Sequence, residues 1–212
     1  MRPDTKRKPW ANTIVYFPFS TDAKDSTGTY TVTLNWWANI GTIDGVNCLN
    51  CSTSWAYGSC TISTLPQWQQ VRTNMARVRW DALTTWEMVV RQYWSSGTYK
   101  ADCALTVSKN IMWTQYGSWV YTQTQPTIWE RIHIAVTVNG NTEQKIYVMW
   151  NLISTANVSV NTNWTQLLFA KTSRWNQRWQ CYISNFIVEN KVRTASEISD
   201  YVYNTKNVYG LS

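Results

Sequence analysis

The sequence has little charge for its length. Asp, Glu, Lys and Arg make up 15% of its 212 residues and hydrophobic residues make up 44%, whereas an average globular protein is about 25% charged. A disordered chain combines low hydrophobicity with high charge and is therefore excluded. The exterior must be built mainly from Thr, Ser, Asn and Gln, as in many β-sandwich proteins that work outside cells.

Histidine and paired carboxylates are also scarce. His133 is the only histidine, and its place in an alternating apolar run indicates a strand residue rather than a metal ligand. A nucleophile triad is hard to build with it. Retaining glycoside hydrolases need two carboxylates about 5 Å apart, whereas Glu87 and Glu130 each stand alone in their segments. The sequence therefore predicts that the protein is not an enzyme.

Long apolar runs are missing as well. No run approaches the ~18 residues that a membrane-spanning helix needs, and the N-terminus lacks the apolar run of a signal peptide. Two arginines and two lysines lie within the first eight residues. We interpret residues 1–12 as a basic arm, which is either a solvated tail or a segment that grips nucleic acid, an acidic polymer or a neighbouring subunit. The rest of the +7 net charge is scattered without a basic stripe, which argues against nucleic acid as the partner.

Cysteine is present but forms no metal-binding motif. The chain has five cysteines. Cys48 and Cys51 form a C-x-x-C pair, but no second pair and no pair of histidines completes a zinc site. One or two disulfides are expected if the compartment is oxidising. The odd count leaves at least one free or intermolecular thiol, and the sequence does not decide the pairing.

What the chain has in abundance is alternation of apolar and polar residues, the pattern of half-buried strands. The Asn139-Gly140 step is a strong hairpin signal, because both residues tolerate a positive φ. Many short strands separated by turn residues indicate a sandwich or a jelly roll. Strands are predicted at 13–17, 29–34, 86–91, 103–107, 131–138, 145–150, 166–170 and 181–189.

One helix is predicted, near the C-terminus. Thr194 followed by Glu197 forms a capping box, and Ile198, Tyr201 and Val202 share one helical face. No internal repeat or linker divides the chain. The predicted fold is all-β: a jelly-roll β-sandwich of two antiparallel sheets with one short C-terminal helix, over residues 13–212.

Several segments carry a family resemblance. Residues 14–19, with their aromatic-Pro-aromatic step, and the Asp-Ser-x-Gly turn within 22–28 resemble the opening strand and loop of laminin-G-like, concanavalin-A-like lectin domains. Residues 183–190 and 193–198 resemble the closing strand and short helix of that family, and 129–137 with 145–150 resemble its paired strands. The resemblance spans almost the whole chain in the right order. It implies a lectin-like sandwich that recognises its ligand through loops.

The resemblance also raises the question of calcium. Asp22 and Asp25 are the candidate Ca²⁺ ligands, because calcium takes several oxygen ligands that include carboxylates and carbonyls. The alternative is that Asp25 makes an Asx turn before Gly28. The closing strand of the family often carries an Asp where this chain has Asn185, so no calcium ligand is carried over to that strand.

Tryptophan supplies the candidate binding site. The chain has 15 Trp and 12 Tyr, and aromatic faces offer large contact areas on which sugar rings stack. Some lie in polar, turn-like segments, although each of these rings could instead pack under a loop or at a subunit contact. The predicted carbohydrate-binding residues are Trp55, Tyr57, Arg174, Trp175, Asn176, Arg178 and Trp179.

A different interpretation of the tryptophans starts from glycine. Only 8 Gly accompany the 15 Trp, below the usual glycine share of about 7%. The loops around Trp55 and around Trp36-Trp37 would fit Gly better than Trp. Some Trp positions are therefore hypothesised to be UGA codons that the source organism reads differently, which would weaken the case for sugar stacking.

Two functions are open at this point. The first is a non-enzymatic recognition or adhesion module that binds a glycan or a surface polymer. The second is a structural assembly protein, such as a virion decoration, fibre or coat component or a cell-surface filament subunit, which forms a homo-oligomer or larger assembly through its N-terminal arm. Both functions place the protein outside the cell, on a cell surface or on a virion. The protein would reach that location either with a leader that is later removed or by another route, as virion proteins do.

Overall fold

The computed structural model describes residues 10–53, 55–67, 70–81, 87–93, 103–107, 111–115, 118–121, 127–140, 143–157, 165–171 and 181–205, with backbone alone between 87 and 121. This part of the chain holds 15 strands and one helix. In chain order they are β1 Thr13–Phe17, β2 Thr33–Asn35, β3 Asn39–Ile43, β4 Val46–Cys51, β5 Tyr57–Thr61, β6 Arg72–Trp80, β7 Glu87–Tyr93, β8 Cys103–Val107, β9 Ile111–Gln115, β10 Ser118–Tyr121, β11 Arg131–Asn139, β12 Glu143–Val148, β13 Asn151–Ala156, β14 Gln166–Phe169, β15 Cys181–Glu189 and α1 Ala195–Thr205.

The strands form two antiparallel sheets. The larger has eight strands in the order β13-β12-β11-β6-β15-β4-β3, with β1 added beside β15. The smaller has seven, in the order β10-β9-β8-β7-β14-β5-β2. The predicted β-sandwich is therefore confirmed.

The core lies between the sheets and is apolar. Its centre is a group of four phenylalanines: Phe17 stacks on Phe19, and Phe169 meets both rings and that of Phe186 edge to face, at centroid distances of 5.2 to 5.8 Å. Gly58 in β5 is needed here, because a Cβ at this position would lie 2.7 Å from Val32 Cγ1. Alternation along β6, β11 and β15 directs every second side chain into this core.

The outer face of the larger sheet is covered over part of its area by α1. Ile198, Tyr201 and Val202 are buried against Met75 and Ile187 and neighbouring side chains of the sheet. The helix begins as predicted: the Glu197 amide donates to Thr194 Oγ1 at 3.2 Å, and the Thr194 amide donates to Glu197 Oε2 at 2.9 Å. The predicted capping box and buried face are therefore confirmed.

The rest of that outer face carries buried charge. Arg79 and Arg131 lie opposite each other on β6 and β11 and are 8% and 7% exposed. The β3–β4 hairpin folds over them: Asp44 pairs with the Arg79 guanidinium, and Ile43 O accepts a hydrogen bond from Arg131 at 2.9 Å. A helix thus covers one part of the outer face and a hairpin covers another.

Trp10 joins the end of the predicted arm to this covered face. Its ring meets the Tyr201 ring edge to face at 5.1 Å, and the Arg193 guanidinium lies 4.3 Å from the Trp10 ring centroid. Residues 1–9 lie outside the described part. The division at residue 12 stays a prediction.

Candidate functional site

Chain connections from both sheets meet at one end of the sandwich. In the larger sheet, the last residue of β4, Cys51, pairs with the first residue of β15, Cys181, which pairs with Trp80 at the end of β6. In the smaller sheet, Asn35 at the end of β2 pairs with Tyr57 at the start of β5. Phe169 at the end of β14 pairs with Gly58, the next residue of β5. Only residues 36–38 separate β2 from β3, and the four residue steps from Asn35 to Asn39 span at most ~14 Å. The two sheet edges are therefore neighbours.

Among the described residues, five exposed tryptophans lie at this end. They stand in the β2–β3, β4–β5 and β12–β13 connections and just before β11, where the Trp129 amide donates to Trp80 O at 2.8 Å. Buried Trp80, by contrast, points into the core. We call this region the aromatic end. Its exposed members are Trp36 (72%), Trp37 (70%), Trp55 (52%), Trp129 (57%) and Trp150 (46%).

Tyr57 forms a close cation–π pair at this end. Lys171 Nζ lies 3.7 Å from the centroid of the Tyr57 ring. The pairing of Phe169 with Gly58 brings them together, because Lys171 follows β14 by two residues and Tyr57 precedes Gly58. An ammonium group on the face of an aromatic ring is a cation–π contact. A cation held over a half-buried ring presents a positive charge that suits a ligand with a negative charge.

The predicted binding residues fall into two groups. Trp55 and Tyr57 both lie at the aromatic end, Trp55 exposed and Tyr57 half-buried. The other predicted residues, Arg174, Trp175, Asn176, Arg178 and Trp179, lie outside the described residues, in the connection that leaves Lys171 and enters β15 at Cys181. Their role stays a prediction. Lys171 was missed by sequence analysis, because its contact depends on the register between β5 and β14 and no local motif signals it.

The candidate calcium ligands take part in local turns. Asp25 is 4% exposed. Its carboxylate accepts hydrogen bonds from the Thr27 amide at 3.1 Å, the Thr27 hydroxyl at 2.6 Å and the Tyr30 amide at 2.7 Å. Asp22 Oδ1 accepts one from the Lys24 amide at 3.0 Å. These contacts are those of the Asx turn named above as the alternative, and they leave the calcium prediction untested.

Asn185, where the resembled family often has Asp, faces the helix rather than a loop. It is 2% exposed, and its side-chain amide donates to the Tyr201 hydroxyl. It therefore links β15 to α1.

Cys48, Cys51, Cys60 and Cys181 are buried thiols. Burial raises the pKa of Cys48 and of Cys60 to about 11, and also raises the pKa of Cys51. Cys51 and Cys181 lie opposite each other on β4 and β15. Among the described residues, no group of three or more His, Cys, Asp and Glu side chains could hold a metal ion. The disulfide prediction stays open.

Comparison with known proteins gives a fold but no family. No family model matches the chain, and no curated protein matches it. Solved structures do match. The binding domain of Paraclostridial Mosquitocidal Protein 1 is 13% identical with a TM-score of 0.74, over 92% of this chain and 53% of that one. The ligand binding domain of botulinum neurotoxin serotype D, in complex with N-acetylneuraminic acid, is 13% identical with a TM-score of 0.71, over 91% and 51%.

A third structure of the same fold is an enzyme. Trypanosoma rangeli sialidase in complex with 2,3-difluoro-KDN is 12% identical with a TM-score of 0.70, over 95% of this chain and 34% of that one. The present chain thus spans about half the length of the two binding domains and about a third of the sialidase. At these identities the likeness shows the β-sandwich fold alone. The laminin-G-like family stays a prediction.

In the described part of the chain, no helix has the length and apolar character that crossing a membrane requires.

Proposed function

We propose that this protein is a non-enzymatic, lectin-like recognition domain that binds an acidic glycan or a similar surface polymer at the aromatic end. The observation that carries the proposal is the Tyr57–Lys171 pair, with its 3.7 Å contact, beside exposed Trp55. The ammonium group, which lies over the Tyr57 ring, supplies the charge partner for a carboxylate or sulfate, and exposed Trp55 supplies a face for a sugar. Proteins of this fold include one that holds N-acetylneuraminic acid, which is an acidic sugar.

The charge of the chain supports an acidic ligand. The net charge is +7, and the segment that follows Lys171 adds Arg174 and Arg178. Positive groups around a binding site raise the rate at which anionic ligands arrive, and that gain falls as salt is added. In this proposal the protein works outside the cell, at a cell surface or on a virion.

The test is a screen of the purified protein against sialylated and matched neutral oligosaccharides, followed by titration of any ligand found. We expect selective binding of sialylated ligands, weaker at higher salt. Tyr57→Ala and Lys171→Ala should each lower the affinity by about tenfold, the equivalent of about 1.4 kcal/mol. The matched controls are Tyr203→Ala and Lys145→Ala, because Tyr203 is an exposed tyrosine on α1 and Lys145 lies in β12 beside Glu143.

Calcium enters the proposal through Asp22 and Asp25. The titration is therefore run with added calcium and with a chelator. Glycan binding that needs calcium and that Asp22→Asn weakens supports the ligand role, whereas equal affinity of the protein with calcium and with chelator rules it out for this function. Failure to bind any glycan, or an equal loss in the Tyr203→Ala control, contradicts the lectin proposal itself.

The second candidate is a structural assembly protein, favoured by the exposure of Trp36 and Trp37 at 72% and 70%. Large apolar side chains that gather on one surface often mark a protein contact. Molar mass in solution, measured over a concentration series, separates the two functions. A monomer at all concentrations supports a free binding module, and a concentration-dependent oligomer supports assembly.

A further inference from the structure

The backbone at three tryptophans has a conformation that favours glycine. The φ angles of Trp36, Trp55 and Trp129 are 58°, 78° and 71°. In this left-handed region a Cβ atom crowds the backbone, so bulky residues are outliers there, whereas glycine adopts it at no steric cost. The three described glycines with positive φ, at 28, 45 and 140, have φ of 74°, 75° and 58°.

Packing does not offset this strain. Strained residues persist where their surroundings hold them in place, and Phe19 is such a case: its φ is 50°, but its ring is fully buried among the core phenylalanines. The rings at 36, 55 and 129 are instead 72%, 52% and 57% exposed. Trp129 makes one cation–π contact, with the Arg79 guanidinium 5.3 Å from its ring centroid.

Other tryptophans of the chain behave differently. Trp80 is fully buried in the core, and Trp10 packs against Tyr201 and Arg193. Neither has a positive φ. Some tryptophans of the chain therefore make packing contacts that stabilise the fold, whereas those at 36, 55 and 129 are exposed and have a strained backbone.

We infer that positions 36, 55 and 129 are glycine positions of this fold and that the cells from which the gene comes insert glycine there, by reading UGA codons as glycine. UGA is a stop codon in the standard genetic code, but some codes read it as tryptophan and others as glycine. Translation of such a gene with a tryptophan code gives too many Trp and too few Gly, and the chain has 15 Trp against 8 Gly. The inference accounts for the composition, the backbone angles and the exposure together.

This inference is independent of the proposed function, although it changes the site. Glycine at 55 removes one candidate stacking surface and leaves Tyr57 and Lys171 in place. Glycine at 36 and 129 also removes two exposed indoles from the aromatic end, and with them part of the case for subunit contacts there. The glycan screen and the experiment below can each fail while the other succeeds.

The deciding experiment is peptide mass spectrometry on the protein isolated from its own cells. We expect glycine at 36, 55 and 129 and tryptophan at Trp80, which serves as the internal control. Tryptophan at the three positions overturns the inference, as do UGG codons there in the gene.

The backbone strain can be measured separately, in protein made with tryptophan at all three positions. The melting temperature should rise by roughly 2–8 °C in each of the variants Trp36→Gly, Trp55→Gly and Trp129→Gly. Glycine removes the steric cost of the left-handed conformation, and the entropy of unfolding sets how far the melting temperature rises for that gain in stability. Trp36→Ala removes the same ring but keeps the Cβ, so it should give no such rise. Trp37→Gly is the matched neighbour: it is 70% exposed but lacks a positive φ, and glycine there should lower the melting temperature. Equal shifts for Trp36→Gly and either control overturn the backbone argument.

Discussion

Protonation of His133 makes the free energy of unfolding depend on pH between 7 and 5, above the range in which ordinary carboxylates titrate. His133 is 1% exposed on β11, and burial, with a further contribution from the charge of Arg77, lowers its pKa from 6.5 to about 3. At pH 5 the folded protein therefore keeps this ring neutral, whereas the unfolded chain protonates it. Because the unfolded state binds more protons below pH 6.5, the free energy of unfolding falls as the pH falls from 6.5 towards 3. Between pH 7 and pH 5 the loss is about 2 kcal/mol.

The assay is urea unfolding at pH 7 and pH 5, followed by tryptophan fluorescence, for the protein and for His133→Gln. With a denaturant slope of about 2 kcal/mol per M, the midpoint of the protein should fall by about 1 M. The variant lacks the titrating group and should shift much less, because ordinary carboxylates titrate near pH 4, below this window. Since His133 is the only histidine, its ring protons can also be followed by NMR. A folded-state midpoint near pH 6.5 would refute the reasoning, and so would equal urea shifts in the two proteins.

Two further predictions test the helix cap and the core. A hydrogen bond from Lys191, together with the Thr194 amide and the charge of Arg193, lowers the pKa of Glu197 to about 2. The contribution of the ionised Glu197 to stability is therefore present above pH 4.5 and is lost as the pH falls through 2. Glu197→Gln should melt at a lower temperature than the protein at pH 6 and at the same temperature below pH 2, and a difference that does not change with pH contradicts this. Gly58→Ala places a methyl group 2.7 Å from Val32 Cγ1 and should cost about 1–3 kcal/mol of unfolding free energy in urea, so an unchanged midpoint would show that β5 is not held this close to the core.

The sequence predicts the fold well where one face of a strand is apolar and the other polar. β1, β8 and β15 begin and end where alternation places them, and the hairpin at Asn139-Gly140 forms between β11 and β12. The predicted strand 29–34 is wrong over most of its length, since only Thr33–Asn35 forms β2. Residues before it make the Asp25 turn instead, because Thr27 and Tyr30 donate their amides to that carboxylate.

Strand β6 shows why the rest of the larger sheet was missed. It is the central strand, paired with both β11 and β15, but its sequence contains Arg72, Arg77 and Arg79, which are typical of a solvated surface. In the structure all three are buried, and Arg77 is held by hydrogen bonds to the Thr205 carbonyl and hydroxyl of α1. Thr205 lies 128 residues after Arg77, and Asp44, which pairs with Arg79, lies 35 residues before it, so no local pattern reveals these two contacts.

The candidate site is predictable only in part for the same reason. Aromatic, turn-like segments pointed to Trp55 and Tyr57, which the fold does place at one end. Lys171 was not predicted, because a single lysine after a strand carries no signal until strand pairing places it over a ring.

The location of a ligand follows from which surfaces the fold has already covered. On the larger sheet, α1 and the β3–β4 hairpin cover parts of the outer face, and the inner face lies in the core. The aromatic end is assembled by connections from both sheets, and main-chain pairing of Asn35 with Tyr57 and of Phe169 with Gly58 fixes its frame. That frame does not depend on the side chain at position 55. A glycine at 55 would therefore leave the Tyr57–Lys171 pair intact, so loss of glycan binding in Tyr57→Ala should occur whether residue 55 is glycine or tryptophan.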